Sequence, residues 1–282
     1  MDGILSGLAG LGLDNLENMD IYEEPAKKEE SESKGVEIPK VEEKDLIYDK
    51  SYVCPVCDDS FTAKIMKTGK AKLLSTDQDL RAKYEGIDAV KYEVLLCPHC
   101  GYAALGKFFS NITSAQAKLI RENISSKVRL TTFQDEIYTY EEALERYKLC
   151  LANAVVKRAR YSEKAYICLK SGWLARGYQE YLQEAGESNK GKIEELRKME
   201  DSYLLNAYNG FVEAIKTEGF PMCGMDEKTM DFLIAVLAKR FKKYEVASKQ
   251  ISLILTSKTA NARIKDKARQ LKEEILMEIR GK

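Results

Sequence analysis

Two matched cysteine pairs constrain this 282-residue chain more than anything else in it. "YVCPVC" at Tyr52 to Cys57 is answered by "LLCPHCGY" at Leu95 to Tyr102. Each Cys-Pro-x-Cys places two thiolates on one tight turn, where backbone N–H groups point at the sulfurs. Pro55 and Pro98 pre-set φ for the turn, and Gly101 takes a positive φ without steric cost. Two such hooks held face to face by short strands make a tetrahedral sulfur site, with Zn–S near about 2.3 Å. The candidate metal ligands are therefore Cys54, Cys57, Cys97 and Cys100, and the implied cofactor is structural Zn²⁺. Iron accepts the same four sulfurs, so the choice of zinc rests on tetrahedral sulfur chemistry alone.

Rival uses of the cysteines are weaker. Disulfides suit an oxidising compartment, whereas a redox pair needs one hook on a βα unit rather than two matched hooks. A catalytic zinc keeps one position open for water, and four cysteines close the shell. His99, the only histidine, reads as a solvent-facing turn residue, and Cys150, Cys168 and Cys223 as small buried hydrophobes.

The hooks are separated by 39 residues, more than the roughly 15–20 of a zinc ribbon. That excess predicts an insertion of strands. "FTAKIMK", "AKLLS" and "VKYEVLLC" carry the strand pattern, with a turn at Lys67 to Lys70. "STDQDLRAKY" predicts a short helix capped by Thr76. From Thr113 onward the pattern is helical throughout. Capping boxes are expected at Thr113 to Gln116 and Thr139 to Glu142. Apolar stripes recur at helical spacing: Tyr166, Leu169, Trp173; Leu204, Ala207, Phe211, Ile215; Leu233, Leu237, Phe241; Ala247, Ile251, Ile254; and Ile264, Ala268, Leu271, Ile275. "GFPMCGMD" at Gly219 to Asp226 breaks the helices through Pro221 and recaps with Asp226.

Charge divides the chain. Residues 1–50 hold 14 acidic and 6 basic side chains, and residues 232–282 hold 13 basic and 5 acidic. The segment "EEPAKKEESESKGVEIPKVEEKD" has no aromatic residue and no apolar period, so it reads as a disordered linker. Ahead of it, Leu5, Leu8, Leu16 and Met19 form a stripe that suits a short docking motif. The expected layout is a docking motif over 1–22, an acidic linker over 23–50, a four-cysteine zinc-binding β module over 51–110 and a helical domain over 111–282. No apolar run reaches the roughly 20 residues of a membrane span, and "MDGILSGLAGLGL" lacks the positive start of a secretory signal. The expected location is cytoplasmic.

Residues 52–105 resemble the bacterial family catalogued as domain of unknown function 2225. The likeness rests on both hooks, on "DQDLRAKY" between them and on "YEVLLCPHCGYAA", and it continues into "AYICLKSGWLARGY" and the final hairpin. Asp58 stands where a glycine would suit the first hook. The resemblance implies architecture and no particular activity. A second likeness lies in the helices. "YEEALERYKLCL", "YNGFVEAI" and "YEVASKQISLIL" look like the second helix of tetratricopeptide repeats, with Ala143, Ala207 and Ala247 as the small residues. Their separations of 64 and 40 residues depart from the 34-residue period, so an irregular stack of hairpins is expected.

The resulting fold class is α+β, a small zinc-ribbon-like β module with a four-cysteine site followed by an all-α, tetratricopeptide-like helical domain. The leading function is a non-enzymatic interaction or scaffold protein that binds a protein or peptide on the helices. One alternative is a nucleic-acid-binding zinc ribbon, although residues 51–105 balance 7 basic against 7 acidic side chains. The other is an enzyme using Asp77, Asp79 and Arg81, with Tyr84 beside them. Against it, those carboxylates suit a helix N-terminus with Arg81 pairing locally.

Overall fold

The computed structural model describes residues 42–130, 136–186 and 190–281. The docking motif over 1–22 and most of the linker over 23–50 lie outside the described residues. The end of that linker is ordered. Glu43–Leu46 form a 3-10 turn and Ile47–Val53 form strand β1, because Leu46 and Ile47 are buried and the strand pairs along its whole length.

Each hook is the turn of an antiparallel pair. β1 pairs with β2 (Ser60–Met66), with Val53 opposite Ser60. β5 (Val94–Leu96) pairs with β6 (Ala103–Leu105), with Leu96 opposite Ala103. Between them β3 (Leu73–Thr76) pairs with β4 (Ala82–Tyr84). The helix expected over "STDQDLRAKY" is therefore a hairpin. Leu80 sits at φ +75 and Asp77 N–H donates to the Arg81 carbonyl, which turns the chain back where a helix would run on. The short helical turn of the insertion comes later, at Ala89–Tyr92, capped by Asp88.

Helices follow: α1 (Gly106–Phe109), α2 (Ser114–Ile120) with a π turn at Arg121–Ser125, α3 (Tyr140–Val156), α4 (Tyr161–Glu184), α5 (Lys190–Thr217), α6 (Glu227–Arg240), α7 (Tyr244–Thr256) and α8 (Ala262–Ile279). Thr113 makes the full capping box with Gln116, and Thr139 accepts from the Glu142 N–H. Helix is not continuous, since residues 126–130 and 136–139 carry none. Asp226 caps α6 beyond the Pro221 break. The stripe residues turn inward, with Leu204, Ala207, Phe211, Leu233, Ala247, Ile254, Ala268 and Leu271 at most 1% exposed. α4 and α5 approach closely enough that a Cβ on Gly172 would lie 2.7 Å from Leu204, and one on Gly210 would lie 2.8 Å from Ala165.

The hooks sit over an aromatic cluster of Tyr52, Phe61, Tyr102 and Phe109, whose rings lie 4.9–6.2 Å apart. Residues 41–282 form one compact unit. No helix among the described residues is long and apolar enough to cross a membrane.

Candidate metal centre and the ion cluster beside it

The two hooks are built by the same hydrogen bonds at the same offsets. In the first, Asp58 N–H donates to the Cys54 carbonyl at 2.9 Å and Cys54 N–H to the Asp59 carbonyl at 2.9 Å. In the second, Gly101 N–H donates to the Cys97 carbonyl at 3.0 Å and Cys97 N–H to the Tyr102 carbonyl at 2.9 Å. The residue after each pair adopts a positive φ, +62 at Asp58 and +73 at Gly101. Aspartate is among the few side chains that tolerate this region. Glycine is demanded more strongly at 101, where a Cβ would lie 2.7 Å from Val128.

The four sulfurs lie within 4.8 Å of one another and could hold a metal ion. Cys54 Sγ is 3.6 Å from Cys100 Sγ, and Cys57 Sγ is 3.6 Å from Cys97 Sγ. A tetrahedron with metal–sulfur bonds of about 2.3 Å has edges of about 3.8 Å, so the donor set fits such an ion. Val56 N–H points at Cys54 Sγ from 3.4 Å, as expected of a turn that stabilises thiolates. Burial pushes the Cys57 thiol up to about 12. Hydrogen bonds from Cys100 and Cys54 hold Cys97 down at about 2, and those to Cys54 and Cys97 push Cys100 far up. With the thiols shifted apart in this way, only a bound cation would hold all four sulfurs ionised at once. His99 is exposed, with Nε2 3.3 Å from the Ser60 carbonyl, and takes no part. Cys150 and Cys168 are buried, while Cys223 is half-buried and donates to the Ser162 carbonyl at 3.3 Å.

The helical part grips both hooks. Arg121 Nη1 donates to the Val56 carbonyl at 2.7 Å and Asn153 Nδ2 to the Gly101 carbonyl at 3.0 Å. Neither residue stood out in the sequence, because one polar residue among helical stripes carries no signal of its partner.

The β3–β4 hairpin brings Asp77, Asp79 and Arg81 together, though not as a helix N-terminus. The main partner of the two aspartates is Arg176 on α4. It forks onto Asp79 at 2.6 and 3.1 Å, and reaches Asp77 at 2.8 Å and Glu200 at 2.9 Å. Burial alone would lower the Arg176 pKa, but the bonds and charges of Asp79 and Glu200 hold it above the ordinary range. Arg81 reaches Glu180 at 3.0 Å and Asp88 at 3.3 Å, closer than its local neighbour Asp77 at 3.7 Å. Tyr84 stands apart from these carboxylates and pairs across the hairpin with Leu73. A sequence clue to Arg176 existed, since it follows Leu169 and Trp173 on one helical stripe.

A family described as "Uncharacterized protein conserved in bacteria (DUF2225)" matches residues 47–275. The chain belongs to this family. The matched span opens on the first residue of β1 and closes on Ile275, the last buried residue of the α8 stripe. Both hooks, the hairpin, helices α1 to α7 and most of α8 therefore fall within the family unit. Neither a curated protein nor a solved structure matches the chain.

Proposed function

We propose that the chain is a non-enzymatic interaction protein. In this reading Cys54, Cys57, Cys97 and Cys100 hold structural Zn²⁺ in a zinc-ribbon-like module, and the tetratricopeptide-like helical body binds a protein or peptide. The observation that carries it is that both reactive clusters are closed on themselves. Four cysteines fill a tetrahedral shell, leaving no position for a water or substrate. Asp79, only 5% exposed, is held bidentate by Arg176, and a carboxylate so engaged is a poor general base.

Support for the helical reading comes from Ala143, Ala207 and Ala247, all fully buried on α3, α5 and α7, where a small side chain lets helices approach. The nucleic-acid reading loses weight because Lys239 faces Glu274 and Glu278, and Arg240 faces Glu200 and Asp201. Those cations are neutralised within the fold.

The test is crosslinking of the full chain in native cells, with bound proteins identified and crosslinks mapped. The expected result is a discrete partner whose crosslinks fall on one face of α5 to α8. Crosslinks scattered over the surface, or steeply salt-dependent binding of nucleic acid in place of a protein, overturn the reading.

A further inference from the structure

A cleft in two lobes runs between the strand part and α4. One lobe, about 480 Å³, is walled by Tyr84, Tyr92, Tyr166 and Trp173 with Met66 and Met225. The other, about 300 Å³, lies among Tyr52, Ile65, Leu95 and Lys107. Tyr92, Glu93, Tyr166 and Lys170 line both lobes, so the two adjoin. Concave, mostly apolar space of this size with a few placed polar groups is the usual form of a ligand site.

The polar groups in the cleft are unequal. Lys170 is matched, with its ammonium 2.7 Å from Glu93. Lys107 is not. Its ammonium donates to the Cys223 carbonyl at 2.6 Å and sits 4.0 Å from the Tyr166 ring centre, with no carboxylate in ion-pair reach among the described residues. An ammonium carries three donors, and the carbonyl occupies one. The carbonyl and the ring hold this cation at the wall of an aromatic lobe, and the lining as a whole carries one positive charge in excess.

We propose that the cleft binds a carboxylate borne on an aromatic body. The acid lies on Lys107, the ring lies between Tyr92 and Tyr166, and a longer ligand passes Glu93 and Lys170 to reach Trp173. This site does not depend on a partner surface on the helices, and either can fail without the other. The same chemistry is offered by a free aromatic acid or by a peptide ending in phenylalanine.

The molecule supplies its own reporter, since Trp173 is its only tryptophan. The probes are 4-phenylbutyrate, its neutral amide and its amine analogue, titrated into the zinc-loaded full chain by calorimetry and by Trp173 emission. The acid is expected to bind about tenfold more tightly than the amide, as a charge-assisted hydrogen bond allows, and the amine weakest. Lys107→Met, a change at an exposed side chain, should erase the preference while zinc content and melting stay unchanged. Ala82→Phe, which fills the Trp173 lobe, should weaken the acid and the amide alike. Acetyl-Gly-Phe with a free terminus, against its amide, separates the sources: tighter than phenylbutyrate means a chain terminus, weaker a free acid. Equal binding of acid and amide, survival of the preference in Lys107→Met, or no heat and no emission change with any probe overturns the proposal.

Discussion

The buried side-chain amide of Asn153 on α3 donates to the main-chain oxygen of Gly101, 3.0 Å away in the turn of the second hook. The same amide donates to the Leu149 carbonyl at 2.9 Å, which fixes its direction. Replacing it with leucine keeps the branching, adds some bulk and leaves a buried carbonyl without its donor, the last at a cost of about 1–3 kcal/mol. Asn153→Leu should therefore lower the melting temperature and also speed zinc transfer to a competing chelator. A lower melting temperature with unchanged zinc retention would show that Asn153 packs the helix without steadying the hook.

Cys54→Ser or Cys100→Ser should lose about one metal ion per chain, read by elemental analysis. Sequence alone leads one to expect that the β module then melts while the helices stay folded. The grips of Asn153 and Arg121, within one compact unit over residues 41–282, change that expectation. Melting followed by helical circular dichroism should show a single transition at lower temperature. A helical signal that melts as in the wild type would restore the two-module picture.

The hooks and the helical stripes were legible because each is a local pattern. A Cys-Pro-x-Cys turn needs nothing beyond its own residues, and apolar spacing names the inward face before any neighbour is known. "DQDLRAKY" misled for the same reason. Its Thr and Asp spacing imitates a helix cap, while Asp79 answers to Arg176, 97 residues away. Lys107 against Tyr166 and Glu93 against Lys170 were hidden likewise, since a cleft between distant segments has no sequence period. Asp58 was partly legible, as a residue where glycine would suit, and its φ of +62 supplies the reason.

Gly177 should tolerate no side chain. A Cβ there would meet Asp88 Oδ2 at 2.1 Å and Arg81 Nη2 at 2.8 Å, so alanine drives a wedge between α4 and the hairpin's ions. Overpacking of this kind costs about 1–3 kcal/mol. Gly219→Ala, where a Cβ meets nothing within 4 Å, is the control and should change denaturant stability little. Equal effects from both substitutions would mean that backbone freedom, not the ion contact, decides the outcome.

Acid should loosen the hairpin through Glu180. Burial by itself raises the pKa of this carboxyl, but the Lys83 hydrogen bond and the charges of Arg81 and Lys83 outweigh it and hold the group below its ordinary 4.5. Lys83 Nζ lies 2.8 Å from one oxygen and Arg81 Nη1 lies 3.0 Å from the other. A carboxyl whose folded pKa is depressed stabilises the fold fully above its unfolded pKa. That contribution fades as pH falls through the folded value. Glu180→Gln should therefore be less stable than the wild type at neutral pH, and the gap should close as pH drops below about 4.3. Added salt should narrow the neutral-pH gap as well, because the pair is only partly buried. Melting curves of both chains across this range decide the point. A gap that stays constant with pH would assign the loss to packing and remove charge from the account of how the hairpin is held.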